Sequence, residues 1–168
     1  MVANTGTYID APFHRFEGRQ DIAGLDLEQV ADLAGLCIDV TENRRVDVAD
    51  LRPFDVRGKA VLLRTGWSRH WGEPEYAINH PFVTREAAAW LVDNQAALVG
   101  IDSLNIDDTE DGERPVHTQL LEAGIPIVEH LCGLSGIVGC AFRFFAVPSP
   151  VEGLGSFPVR AFAMVSHN

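Results

Sequence analysis

Asn4-Thr5-Gly6-Thr7-Tyr8-Ile9-Asp10-Ala11-Pro12-Phe13-His14 decides how this chain is read. Asp10 and His14 are four positions apart, with Pro12 between them. Proline removes a backbone donor and disfavours helix before it, so the stretch is expected to be a rigid extended turn. Gly6 permits a tight bend ahead of it. On its own, an Asp-x-x-x-His pair is as compatible with a surface hydrogen bond as with a ligand pair. It gains meaning from His117 and Glu129 further along. Two carboxylates and two imidazoles make a ligand set for one divalent metal ion.

The segment around His117 is expected to be helical. Pro115 suits a first helical turn and Gly124 suits a helix stop. His117, Leu120 and Leu121 then share one face at i, i+3, i+4, so His117 points inward with the leucines. Ile125-Pro126-Ile127-Val128-Glu129 follows as a strand ending in a carboxylate. Burying that carboxylate is costly unless it is paired or binds metal. Arg64 or Arg160 could pair with it, and His117 could be a hydrogen-bonded core histidine, so both alternatives stay open.

Other candidate strands are 36–40, 60–64, 97–101, 142–147 and 159–165. Several are continuous apolar runs, as strands buried on both faces require. Asp26 is placed to cap a short helix through Val30, and Thr84 a longer one through Val92. This is a mixed α/β pattern. With 168 residues and 46% apolar composition, one domain spanning 1–168 is expected.

The net charge is −11. A polyanion of this kind is repelled by nucleic acid and anionic membranes, so neither is an expected partner. The N-terminus carries no signal-peptide pattern and no apolar run is long enough to span a bilayer. Cys37, Cys132 and Cys140 lie among apolar neighbours and are read as buried free thiols. A reducing cytoplasm is the expected compartment. Trp67, Trp71 and Tyr76 suit an aromatic small-molecule substrate. His80 and His70 lie in the same region and either line a pocket or sit on surface loops. His130, one position past Glu129, faces the opposite side if the strand continues. His167 is near the C-terminus, where chains fray.

The chain resembles the metal-dependent cyclase-like hydrolases that include bacterial kynurenine formamidase and isatin hydrolase. The family hallmark is His-x-Gly-Thr-His-x-Asp-x-Pro-x-His, matched here from Asn4 to His14. A downstream histidine and an Ile-Ile-Glu-Asn-Leu segment are matched by His117 and by Ile127-Val128-Glu129-His130-Leu131. Leu63-Arg64-Thr65-Gly66-Trp67, Val99-Gly100-Ile101-Asp102-Ser103 and Pro158-Val159-Arg160-Ala161 match in order. The resemblance implies a swivelling β/β/α domain, with a mixed sheet and short helices, in homodimers or homotetramers. It implies a metal site of Asp10, His14, His117 and Glu129, holding zinc or, as the alternative, manganese.

The hallmark's first two histidines, which hold a second metal in the family, are Asn4 and Tyr8 here. One metal is therefore expected, not two. The family's N-terminal segment is expected to be missing, since the chain starts almost at the motif. The implied activity is arylformamidase-like: hydrolysis of a small amide, lactam or lactone, with catalytic roles for Tyr8, His14 and Glu129. Trp67, Trp71 and His80 are the expected substrate contacts. Tyr8 would either donate to the oxyanion or fill the vacated volume and bond Asp10 or Glu129. The alternative function is a weak or inactive relative that binds a small ligand or serves as an oligomeric accessory protein.

Overall fold

The structure is a computed structural model and describes residues 4–165; His167 lies outside them. Its strands are β1 (Tyr8–Asp10), β2 (Leu33–Asp39), β3 (Arg45–Val46), β4 (Ala60–Arg64), β5 (Phe82–Val83), β6 (Leu98–Ile101), β7 (Ile127–Glu129), β8 (Phe142–Phe145), β9 (Ser156–Pro158) and β10 (Phe162–Val165). Helices are α1 (Leu27–Val30), α2 (Val48–Leu51), α3 (Arg85–Asp93) and α4 (Pro115–Glu122), with single 3-10 turns such as Pro12–His14. One eight-stranded sheet runs β10-β8-β2-β4-β6-β7-β1-β9, and β3 pairs with β5 apart from it.

The centre of the sheet is parallel, β2-β4-β6-β7, and antiparallel strands extend it on both sides. Ala60-Val61-Leu62-Leu63 is apolar at every position because both faces are covered. Val61 and Leu63 pack with Leu91 of α3 and Leu120 and Leu121 of α4. Ala60 and Leu62 pack on the other face with Ile9, Phe142 and Phe144. This is the mixed-sheet α/β architecture with short helices that the sequence pattern implies.

Local signals set the helices. Asp26 and Asp47 cap α1 and α2, and the Thr84 hydroxyl accepts from Ala87 N at 3.2 Å to start α3. Pro115 opens α4, and Gly124 follows it at φ 77°. The expected strand over 159–165 begins only at Phe162, as β10, and residues 159–161 separate it from β9. The stretch expected to be a turn around Asp10 is strand β1 followed by the Pro12–His14 turn. Cys37 is buried, but Cys132 and Cys140 are exposed. They lie in a loop broken by Gly133, Gly136 and Gly139.

Candidate metal centre

Strand pairing assembles the site. Tyr8 and Asp10 are two apart on β1 and face the same side, while Ile9 enters the core. β1 lies between β7 and β9, with Tyr8 opposite Glu129 and Asp10 opposite Ser156. Directly opposed residues share a face, so these pairs meet. The Tyr8 hydroxyl donates to Glu129 Oε2, and the Ser156 hydroxyl donates to Asp10 Oδ1. The Pro12–His14 turn then brings His14 against β9. Gly155 allows that approach, since a Cβ there would lie 2.4 Å from His14 Cα.

His117 enters from the first turn of α4. Asp107 accepts from its Nδ1 at 2.6 Å and from the backbone N–H groups of Val116 and His117 at 2.7 and 3.1 Å. One carboxylate therefore satisfies the helix start and fixes the imidazole tautomer. With Nδ1 donating to Asp107, His117 Nε2 presents a lone pair to the centre. It meets Asp10 Oδ2 at 3.5 Å. Both atoms are buried and neither has a hydrogen-bond partner among the described residues.

Such a pair needs positive charge between its atoms, either a second imidazole proton on Nε2 or a metal ion. Ligand atoms around a tetrahedral ion with bonds near 2.1 Å are about 3.4 Å apart, close to the observed spacing. His14 completes the group, with one ligand atom from each of Asp10, His14 and His117 lying within 4.8 Å of the others. These donors fit a divalent ion with an open coordination position.

Glu129 stands beside this group. Its Oε1 lies 3.7 Å from His117 Nε2 and accepts from Ile106 N at 2.6 Å. The alternative partners of Glu129 are elsewhere: Arg64 is bonded to Asp39, and Arg160 is exposed. Asn4 is exposed in a turn.

Charge is tightly coupled here. Burial alone would hold the His117 imidazolium down, but Asp10, Asp107 and Glu129 outweigh it and push its pKa up to about 9. Burial, with Asp10 nearby, raises Glu129 despite the opposing pull of His117 and the Tyr8 bond. Burial also raises the Tyr8 phenol, assisted by Glu129 and Asp10. His14 is lowered by burial, which outweighs Asp10. Asp107 is lowered: the bonds from His117 and the helix N–H groups overcome the cost of burying it.

A cavity of about 360 Å³ has Thr7, Ser68, Trp71, His130 and Cys132 in its wall. The strand ends at Glu129, and His130 takes φ 55°, turning its ring back toward Tyr8 at 5.4 Å rather than away. Tyr76 OH bonds its Nδ1 at 2.8 Å, and Trp71 meets the ring edge-on. Of the expected substrate contacts, Trp71 reaches this cavity. Trp67 is half-buried and donates to Tyr76 O at 2.9 Å. His80 is neither a surface residue nor in this wall: it is buried, bonded to Pro81 O and Thr109 Oγ1.

The Cyclase family model, described as "Putative cyclase", matches residues 1–108. A kynurenine formamidase of Bacillus cytotoxicus is 32% identical over 162 residues, spanning 96% of this chain and 76% of that protein. The chain belongs to the cyclase family. The corresponding enzyme of Bacillus mycoides is also 32% identical over the same span. A solved "potential metal-dependent hydrolase with cyclase activity" superposes with TM-score 0.85 at 31% identity, covering 96% of this chain and 78% of that one. Isatin hydrolase A of Labrenzia aggregata shares the fold, with TM-score 0.87 at 21% identity and coverage of 96% and 73%. As a cyclase-family member the chain is a hydrolase of the class acting on carbon–nitrogen bonds other than peptide bonds. Among the described residues no helix is long and apolar enough to cross a membrane.

Three residues of the cyclase site carry little sequence signal. Asp107 follows a buried strand and opens an acidic run, and neither feature marks it as the partner of His117. Ser156 is 146 positions from Asp10, and only the β1–β9 register joins them. Arg114 precedes Pro115 without any motif, yet its guanidinium lies 3.4 Å from His14 Nε2.

Proposed function

We propose that this protein hydrolyses a small amide at a single divalent metal ion, with an aryl formamide as the first candidate and lactams or lactones as neighbours. The observation that carries the reading is the pair of buried, partnerless atoms, Asp10 Oδ2 and His117 Nε2, facing each other at 3.5 Å. Asp10, His14 and His117 hold the ion, zinc first and manganese as the alternative, and Glu129 adjoins it. When bound, the ion polarises a carbonyl and lowers the pKa of water.

The rest of the chemistry belongs to the chain. Asp107 keeps His117 in the ligating tautomer, and Ser156 bridges Asp10 and His14. Glu129, raised by burial, is the proton acceptor for the attacking water. Tyr8 places a phenolic proton on Glu129, where a second cation would otherwise be needed, so one ion suffices. The cavity beside Trp71 and His130 suits one aromatic ring. The activities named for the relatives support an aromatic amide. The protein is proposed to work as a cytoplasmic homodimer or homotetramer.

The test is elemental analysis after zinc or manganese loading, together with hydrolysis of a panel of aryl formamides, lactams and lactones. One ion per chain, with ion and activity both lost in Asp10→Ala, is expected. A folded protein that stays metal-free overturns the reading.

A further inference from the structure

The reaction generates negative charge on the carbonyl oxygen, and a donor aimed at that oxygen is normally the largest single contribution to the rate. Tyr8 is poorly placed for this, because its one proton is given to Glu129. Arg114 is the better candidate. Ser156 donates its only proton to Asp10, so it accepts from His14 Nδ1, at 2.8 Å. His14 therefore has its lone pair on Nε2. The Arg114 guanidinium lies on that lone pair.

A lone pair given to a metal ion is not available to an N–H. With His14 as a ligand, the Arg114 donor is released beside the reacting centre. Arg114 is half-buried with its guanidinium 3.4 Å from His14 Nε2, so it faces the site and not the solvent alone. The neighbouring Arg15 is tied to Thr118 Oγ1 and Glu113 O, at 3.1 and 2.8 Å. Arg114 also has φ 49° and ψ 60°, a left-handed conformation costly for a long side chain and characteristic of functional positions. The centre's carboxylates are Asp10, Asp107 and Glu129, and Arg15, whose charge also reaches His14, has donors committed to Thr118 and Glu113.

We propose that Arg114 is a catalytic residue: its guanidinium donates to the carbonyl oxygen as water attacks, and stabilises the oxyanion. The inference rests on the hydrolase reading above. Water oxygen bonds the carbonyl carbon while the C=O pair moves onto oxygen. Glu129 takes a proton from that water; the pair then returns, the C–N bond breaks and the leaving nitrogen takes the proton from Glu129. Arg114 keeps its own protons throughout, as a guanidinium does in proteins.

The experiment compares wild type, Arg114→Ala and Arg114→Lys, each zinc-loaded, on the best-cleaved member of the panel. Zinc affinity is measured by calorimetry on the same samples. Arg114→Ala is expected to lose on the order of 10²–10³-fold in kcat with KM changed only a few-fold. Its zinc affinity should be no weaker than wild type, since a competing donor and a positive charge are gone. Arg114→Lys retains part of the rate, and guanidinium ion added below denaturing concentration restores part of the rate of Arg114→Ala. An unchanged kcat in zinc-loaded Arg114→Ala overturns the proposal. So does a kcat loss that follows loss of zinc, which marks a structural role. A wild type that binds no zinc or cleaves nothing fails separately: it overturns the hydrolase reading and the inference with it.

Discussion

Asp102 and Asp10 are both buried aspartates at the ends of sheet strands, and their surroundings are opposite. Asp102, just after β6, accepts from Thr65 N and Oγ1 at 2.6 Å each and from Gly66 N at 3.0 Å. Its two oxygens are satisfied by the loop after β4. Asp10 has one oxygen on Ser156 and the other facing His117 Nε2 without a partner. Burial alone therefore does not mark a reactive residue. A buried lone pair left without a donor does, because folding has no other reason to keep it. Asp102 holds a loop, and Asp10 holds a place for a cation.

The largest stability effect should fall on the satisfied residue. Asp102→Ala leaves the Thr65 and Gly66 N–H groups without their acceptor and is expected to cost about 3 kcal/mol in urea unfolding. Asp10→Asn, measured in a chelator above about pH 9 where the His117 proton no longer contributes, should stay within about 1 kcal/mol of wild type, because it removes a carboxylate that is only half satisfied. Equal losses in the two variants would erase the distinction.

Asp107 lies between these extremes, since it both caps α4 and orients His117. Asp107→Asn is expected to weaken zinc binding about 10–100-fold, as loss of a carboxylate partner to a ligating histidine does elsewhere. A calorimetric titration giving wild-type affinity would make Asp107 a helix cap and nothing more.

The pH dependence of the protein in chelator separates the same two regions. The folded-state pKa of His117 is raised from its ordinary 6.5 to about 9. The stabilisation from its proton is then complete below about pH 6.5 and is lost as pH rises through about 9. Urea midpoints should fall across that window, and Asp10→Asn should flatten the fall. Midpoints of wild type that hold steady from pH 6.5 to 9 would contradict the coupling of Asp10 and His117.

A smaller effect than at Asp102 is expected at Tyr8. Tyr8→Phe removes one donor to Glu129, whose pKa is already raised and which can take up a proton instead. A loss of about 1 kcal/mol is expected by urea unfolding. A much larger loss would place Tyr8 with Asp102 as a structural anchor.

Sequence patterns reveal what depends on neighbours in the chain. Ala60–Arg64 is a strand with the expected ends because four consecutive apolar residues need two covered faces. Asp26, Thr84 and Pro115 begin helices because capping is local. β1 is harder to read. Its three residues show no pattern of their own, and pairing with β7 and β9, both distant in sequence, makes them a strand. The same pairing puts Ser156 on Asp10, which no spacing could indicate. Asp10, His14 and His117 were legible as a ligand group through chemistry and the ordered family motifs. The strand ends at Glu129, as expected, so the condition for His130 to face the opposite side is not met, and its left-handed backbone turns the ring back. Cys132 and Cys140 have apolar neighbours in sequence, but those neighbours do not fold over them.

The central claim is that the partnerless atoms of Asp10 and His117 mark a single cation site. Calorimetric zinc titration of the chelator-stripped protein, run in parallel on Asp10→Asn, tests it most directly. One zinc per chain in wild type, with that binding abolished in a folded Asp10→Asn protein, is the predicted result. No binding by wild type, or equal binding by both proteins, would contradict it.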